Sequence, residues 1–232
     1  MFEAEAKGLE LLRSANEIYI PEPIATSLAG QDAFIIMEYA EQGKRQKDFF
    51  FDFGKRVAKL HKHSAEKFGL DHDNYIGSLY QSNKQKERWT DFFIEERLEK
   101  QIKLTRDNHI INNSVIKQFN NLFKRLNEIF PEEKPALLHG DLWSGNFMTA
   151  PNGSACIFDP AVYYGHREMD IAMTKLFGGF DAGFYSGYNE EFPLEKSWQQ
   201  RTDVCNLYPL MVHVNLFGGG YLSQVELIIK RF

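Results

Sequence analysis

Residues 137–146 read LLHGDLWSGN, and residues 158–160 read FDP. Asp141 is followed five positions later by Asn146, and Asp159 comes thirteen positions after that. Phosphoryl transfer from a magnesium nucleotide uses a carboxylate that orients and deprotonates the attacking hydroxyl, together with oxygen ligands for the metal. The order His-x-Asp-x-x-x-x-Asn followed by a further aspartate is that of the catalytic parts of kinases. The pattern therefore indicates a site for a magnesium nucleotide.

A β-hairpin is predicted between these two segments. Asn152-Gly153 separates the β-prone runs 147–149 and 155–158, and Asn-Gly is a strong hairpin signal because both turn positions need a positive φ. A two-residue loop would set Asn146 opposite Asp159, with Cβ atoms roughly 5 Å apart. Two oxygen-bearing side chains at that separation can share one magnesium ion. The alternative is that both are ordinary polar residues at strand ends and that Asp141 is a turn former.

Composition narrows the class of protein. The chain has 232 residues, of which 43% are hydrophobic and 14% aromatic, enough for a substantial core in one or two domains. Its net charge is −5, with acids and bases interspersed, so no nucleic-acid surface is predicted. No apolar run is long enough for a membrane span, and no signal peptide is recognised. Cys156 and Cys205 do not form a disulfide framework, so we expect a cytoplasmic protein.

Two parts are predicted along the chain. Residues 1–40 combine a helix at 1–16, a turn at 29–32 and a buried strand at 33–39. A polar connector at 41–47 opens a mostly helical second part, 41–232. Its helices are marked by apolar residues at helical spacing and are expected around 49–60, 89–98, 115–126, 170–177, 195–217 and 221–232. Gly218-Gly219-Gly220 is interpreted as a helix terminator rather than a phosphate-binding loop.

These residues resemble the fructosamine (ketosamine) kinases. The resemblance rests on HGDLWSGN at 139–146 and on FDPAVYYGHREMDIAMTKLFGGF at 158–180, and it extends over nearly the whole chain. It implies an α+β, protein-kinase-like fold of the aminoglycoside phosphotransferase type, with an incomplete N-lobe and a mostly helical C-lobe. The implied activity is transfer of phosphate from ATP, with Mg²⁺, to the C3 hydroxyl of a ketosamine, a step in deglycation.

The resemblance also implies roles for individual residues. Asp141 is the expected catalytic base, and Asn146 and Asp159 are the expected magnesium ligands. Around the nucleotide, Glu5 matches the partner of a phosphate-binding lysine. Three residues match the segment that meets adenine: Met37, Glu38 and Tyr39.

The resemblance also implies two residues that contact the substrate. Some of the implied roles have structural alternatives. Trp143 matches a tryptophan beside the sugar, and His166 is a candidate substrate contact. Trp143 is alternatively a packing residue, His166 a brace for its loop, and Glu5 an acid favoured at the first turn of a helix. His139 is interpreted as a structural hydrogen-bonding residue.

This sequence departs from the family pattern at its first residues. Kinases of this fold have a glycine-containing loop and a phosphate-anchoring lysine before the helix that carries Glu5, and the sequence begins at that helix. We therefore expect either a truncated form of an active enzyme or a degenerate remnant, which binds nucleotide poorly and leaves the strand at 33–39 with an unpaired edge. Two other functions stay open: a non-catalytic module that binds glycated amines or a partner, and a kinase for an aminoglycoside-like or choline-like alcohol. Oligomeric state is not predicted.

Overall fold

The computed structural model describes residues 1–232. The chain begins with the helix α1 (Phe2–Ser14), which is followed by two antiparallel strands, β1 (Pro23–Ala29) and β2 (Asp32–Met37). The turn between the strands is tight, with Gly30 at φ 67°, an angle that glycine adopts without a steric penalty. The predicted first helix and the predicted turn are confirmed.

The strand predicted at 33–39 is present, but it is not buried as predicted. It ends at Met37, and the side chains of Phe34 and Ile36 are 37% and 48% exposed. The reason is that β2 pairs with β1 alone, in a two-stranded sheet whose outer face has no covering layer. An apolar run predicts burial only where a second layer packs on it. The expected unpaired edge of β2 is present.

Residues 38–46 follow β2 and contain no helix or strand. Helix α2 (Phe49–Lys62) follows them, and its predicted apolar face is buried. The next elements are, in chain order, β3 (Asn74–Ile76), β4 (Leu79–Gln81), α3 (Trp89–Phe92), a π-helical segment (Phe93–Leu98), α4 (Glu99–Asp107), α5 (Asn113–Phe123), α6 (Leu126–Ile129), β5 (Ala136–Leu138), β6 (Phe147–Thr149), β7 (Ala155–Ile157) and β8 (Tyr163–Gly165). The chain ends with α7 (Glu168–Leu176), α8 (Ala182–Glu191), α9 (Trp198–Phe217), a 3₁₀ turn (Gly219–Tyr221) and α10 (Leu222–Ile229).

Most of the predicted helices are found, with one addition. Helix α9 ends at Phe217, and Gly218 follows with φ 89°, which confirms the predicted terminator. Helix α8 was not predicted. None of the helices is both long enough and apolar enough to cross a lipid bilayer.

Two apolar cores meet along β5. Leu138 belongs to the core built around α5, α9 and α10, while its neighbour Leu137 belongs to the core built around α1, α2 and α8. Successive side chains of a strand point to opposite faces, so β5 is anchored on both sides. The loop that follows β5, which carries the predicted catalytic residues, is therefore held between the two cores.

Candidate active site

The loop between β5 and β6 is fixed by one buried carboxylate. Asp170, on α7, accepts hydrogen bonds from the backbone N–H groups of His139 at 2.8 Å and of Gly140 at 2.9 Å. Its Oδ2 atom also lies 3.1 Å from Nε2 of His61. Burial alone raises the pKa of Asp170, but the hydrogen bonds and the nearby histidines outweigh it and hold the pKa below its ordinary value. Asp170 therefore stays ionised and holds the loop in place.

His139 braces the same loop from within. Its Nε2 atom lies 3.0 Å from the carbonyl oxygen of Phe158, and its Nδ1 atom accepts from the backbone N–H of Asp141 at 3.3 Å. An imidazole that donates from Nε2 and accepts at Nδ1 is neutral. Burial lowers the pKa of His139, in keeping with that form. These contacts favour the structural interpretation of His139 over proton transfer.

Asp141 and Asn146 are in direct contact. The Nδ2 atom of Asn146 donates to the Oδ2 atom of Asp141 at 2.9 Å, and it also approaches the carbonyl oxygen of Asp159 at 3.3 Å. Burial first, and then the negative charge of Asp159, raise the pKa of Asp141 to about 7, while the Asn146 amide opposes the shift. A carboxylate with a pKa near neutrality is suited to accept and release a proton at ordinary pH.

The hairpin is present, but its predicted register is wrong by one residue. Phe147 pairs with Ile157, so Phe158 rather than Asp159 lies across from Asn146. The loop has three residues, 151–153, because Ala150 donates its N–H to the carbonyl of Ser154. A two-residue loop would have paired Pro151 with Ser154, and proline has no N–H to donate. Asp159, two residues after β7 and with a left-handed φ of 54°, still lies near Asn146, whose Nδ2 atom approaches its carbonyl oxygen at 3.3 Å.

Two cavities meet at these residues. One, of about 280 Å³, is lined by Trp143, Tyr208 and His213 among others and is called the α9 cavity here. The other, of about 290 Å³, is lined by the start of α1, including Glu5, and is called the α1 cavity. The linings share four residues: Ile76, Gly77, Asp141 and Asp159. The two aspartates predicted for chemistry therefore lie at the junction.

The structure does not bring all of the residues that the family resemblance implies for nucleotide binding into one cavity. Glu5 lines the α1 cavity, where burial, and then the charge of Asp159, raise its pKa. Met37, Glu38 and Tyr39 line neither cavity. Glu38 instead accepts from the hydroxyl of Tyr19 at 2.7 Å, which holds the pKa of Glu38 below its usual range.

The two substrate candidates differ in position. Trp143 lines the α9 cavity, with its ring centroid 5.8 Å from that of Phe177. His166 does not reach either cavity. It is fully buried against Phe130, with ring centroids 5.2 Å apart, and burial lowers its pKa. The structure thus places His166 where the bracing alternative expects it, and a substrate contact is not supported.

Several residues that line the α9 cavity lie outside the sequence motifs. Asp170 and Tyr208 lie on helices far along the chain from the catalytic loop. His213 lies one turn after Pro209 on α9, and its Nδ1 atom donates to the Pro209 carbonyl at 2.7 Å. Proline removes a backbone N–H in the helix, so Pro209 is the local signal that could have marked this part of α9. The contact of Nδ1 with the Pro209 carbonyl leaves Nε2 of His213 for a ligand in the cavity.

Asn146 and Asp159 fit a magnesium ion by the chemistry of their donors. Asn146 uses its amide nitrogen on Asp141, which leaves its oxygen free for a metal, and Asp159 contributes a carboxylate to the lining of the same cavity. Mg²⁺ is commonly bound by one or two such oxygen ligands, with phosphates and waters completing the shell. No cluster of three or more His, Cys, Asp or Glu residues suited to a metal is found.

The fructosamine kinase family model matches residues 1–232. The chain belongs to the fructosamine kinase family. The chain is 42% identical over 232 residues to a "Probable ketoamine kinase" of Vibrio parahaemolyticus, covering 99% of this chain and 80% of that protein. The chloroplastic protein-ribulosamine 3-kinase of Arabidopsis thaliana is 37% identical, over 100% of this chain and 72% of that protein.

Solved structures agree with this fructosamine kinase assignment. A candidate fructosamine-3-kinase from Haemophilus somnus superposes with a TM-score of 0.89 at 32% identity, over 100% of this chain and 79% of that chain. An amicoumacin kinase in complex with AMP-PNP, Ca²⁺ and Ami has a TM-score of 0.61 at 15% identity, over 99% of this chain and 76% of that chain, and shows the shared fold alone. The predicted kinase-like α+β fold and the enzyme class, a phosphotransferase with an alcohol-group acceptor, are confirmed.

Proposed function

We propose that this member of the fructosamine kinase family transfers a phosphoryl group from ATP to a hydroxyl of a ketosamine, with the weak nucleotide binding that its sequence predicts. The observation that carries the proposal is the position of Asp141 and Asp159 at the junction of the α1 and α9 cavities. Phosphoryl transfer needs a donor and an acceptor that approach one point from two sides. Two cavities that meet at a carboxylate with a pKa near neutrality supply that arrangement.

The two cavities suit different ligands. The α9 cavity combines the aromatic rings of Trp143 and Tyr208 with the imidazole of His213. Aromatic faces pack on the C–H surfaces of a sugar ring, and a fixed polar group orients its hydroxyls. We therefore assign the ketosamine to the α9 cavity and the ATP phosphates to the α1 cavity. The family likeness supports adenine contacts by Met37, Glu38 and Tyr39.

Asp141 is proposed as the general base. As the acceptor oxygen forms its bond to the γ-phosphorus and the bond to ADP breaks, the hydroxyl proton passes to the carboxylate of Asp141. The amide of Asn146 keeps that carboxylate oriented. Mg²⁺, when bound by Asn146 and Asp159, would offset the negative charge of the phosphates.

The biological role follows from the product. The family resemblance implies phosphorylation at the C3 hydroxyl, which gives a labile ester and so releases the sugar from the amine. Removal of sugar from glycated amines is therefore the proposed role. A cytoplasmic location stays a prediction, as does the division into parts at residues 40 and 41.

The test compares acceptors. The wild-type protein is incubated with ATP, Mg²⁺ and fructosyl-lysine, choline or kanamycin, and ADP release is measured. We expect release that depends on fructosyl-lysine. Release with choline or kanamycin alone would favour the small-molecule alternative. Binding of fructosyl-lysine without any phosphorylation would favour the non-catalytic module.

A further inference from the structure

The hairpin β3–β4 reaches the junction of the two cavities. Its tip residues Ile76 and Gly77 are, besides Asp141 and Asp159, the residues that line both cavities. Ile76 is buried, with 7% of its surface exposed. The reacting oxygen and phosphorus are therefore expected to meet beside an apolar side chain that carries no proton to transfer.

The base of this hairpin is fixed by buried amides. Asn74 donates to the carbonyl of Val162 at 2.8 Å, and Gln81 donates to Oδ1 of Asn74 at 2.8 Å and to the carbonyl of Ala161 at 3.1 Å. Both acceptor carbonyls follow Asp159 closely in sequence. The hairpin is thus tied to the segment that carries a proposed metal ligand.

A buried arginine holds the segment that follows the base of the hairpin. Arg97, in the π-helical segment, is fully buried and donates to Oδ1 of Asn83 at 2.8 Å and to the carbonyl of Ser82 at 2.5 Å. Its guanidinium carbon lies 4.0 Å from the ring centroid of Tyr163, a lining residue of the α9 cavity. No carboxylate forms an ion pair with it. Burying a charge is costly unless hydrogen bonds satisfy it. Nε of Arg97 has no partner, so the bonds from its two terminal nitrogens are the ones that hold this geometry.

The tip itself is seated against α9. Gly77 has φ 55°, and a Cβ atom added there would lie 3.1 Å from Cδ1 of Leu216. Tyr208 on the same helix donates to Oε1 of Gln81 at 2.6 Å. Contacts at the tip and at the base therefore fix the hairpin relative to the wall of the α9 cavity.

We propose that the β3–β4 hairpin is a fixed partition, in which Ile76 and Gly77 keep water from the γ-phosphorus and position the acceptor hydroxyl. This inference rests on the proposed function. In productive transfer the acceptor oxygen bonds to the γ-phosphorus, ADP leaves, and Asp141 takes the proton. With water in place of the acceptor, the same bond changes give ADP and inorganic phosphate. Excluding water from the reacting atoms prevents such side reactions.

The test is the Ile76→Ala variant in the full chain. Inorganic phosphate and phosphorylated fructosyl-lysine are both measured, and their ratio is compared with that of the wild type. We expect the ratio to rise about tenfold, equivalent to ~1.4 kcal/mol between the two barriers, and the KM for fructosyl-lysine to rise. Ser78→Ala, at an exposed position of the same turn that lines neither cavity, is the control and should leave both values unchanged.

Each outcome decides something. If Ile76→Ala does not fold, Gly77→Ala provides the second variant, because its Cβ would push the tip away from Leu216 and should raise the same KM. A folded variant with the wild-type ratio and KM overturns the partition while leaving the proposed function intact. A wild-type protein that phosphorylates no fructosyl-lysine overturns the proposed function, and the partition with it.

Discussion

The Nδ2 atom of Asn146 donates to the Oδ2 atom of Asp141 across 2.9 Å. This bond joins a proposed metal ligand to the proposed base within one loop. It orients the carboxylate while burial and the charge of Asp159 raise its pKa to about 7. An ionised carboxylate in that position is costly for the fold, and such a cost is common at sites selected for activity.

Asp141→Asn should stabilise the protein. The neutral amide removes the buried negative charge beside Asp159, so the free energy of unfolding at pH 7 is expected to rise. Urea denaturation followed by circular dichroism measures the change. Asp203→Asn, at an exposed carboxylate paired with Arg231, is the control. A loss of stability in Asp141→Asn would contradict a strained, functional aspartate at this position.

Asp170→Asn should loosen the catalytic loop. Asp170 accepts from His139, Gly140 and His61, and an asparagine oxygen cannot serve every donor. A buried donor without a partner costs about 1–3 kcal/mol of stability, and kcat should fall as well. Thr174→Val removes a buried hydroxyl on the same helix and should cost stability without a comparable loss of kcat. Equal kcat losses in both variants would argue against positioning by Asp170.

Gly145→Ala should weaken acceptor binding selectively. A Cβ atom at Gly145 would lie 2.3 Å from the indole of Trp143, so the ring must move. If Trp143 contacts the sugar, the KM for fructosyl-lysine rises while the KM for ATP stays constant. Steady-state kinetics separates the two values, with Ser144→Ala as the control from the same loop. An unchanged KM for fructosyl-lysine would support the packing interpretation of Trp143.

The buried His166 should make stability depend on pH. Burial lowers its pKa although Glu133 and Glu168 oppose the shift, while Arg167 and Arg201 add to it. The unfolded chain then takes up a proton near the ordinary pKa of about 6.5, and the folded chain does so only at lower pH. The contribution of the neutral, buried His166 to the free energy of unfolding is therefore complete above that pKa, and it decreases as the pH falls below it.

This pH effect is measured as a difference between proteins. The free energy of unfolding is determined from pH 7 down to pH 5 for the wild type and for His166→Gln. One proton corresponds to ~1.4 kcal/mol per pH unit, so the slope of the variant should be smaller by up to that amount. Identical slopes would show that His166 does not titrate differently in the folded and unfolded states.

Local patterns were enough to predict the catalytic hairpin, but not its register. The Asn152-Gly153 signal was correct, yet Pro151 lacks the N–H that a two-residue loop requires, and the loop contains three residues. Helix α8 was missed for a different reason. Glycine at 187 lowers helix propensity, but a Cβ there would lie 2.0 Å from the carbonyl oxygen of Phe51, so close packing against α2 requires it.

No local sequence pattern marked the site residues that come from distant parts of the chain. Asp170 reaches the loop from 30 residues away in sequence. Ile76 belongs to a hairpin whose strands are only three residues long. The burial of 33–39 was mispredicted because apolar composition cannot reveal whether a second layer covers a strand. The chemical motif was therefore predictable, whereas the walls of its cavities were not.

The most direct test of the central claim is a side-by-side assay of wild type and Asp141→Asn with ATP, Mg²⁺ and fructosyl-lysine. Phosphorylated product is identified by ³¹P NMR. The account predicts a sugar phosphate ester formed by the wild type, and a rate lower by about 10²–10⁴-fold in the variant, the usual contribution of a general base. Equal rates in the two proteins, or no ester in either, would contradict it.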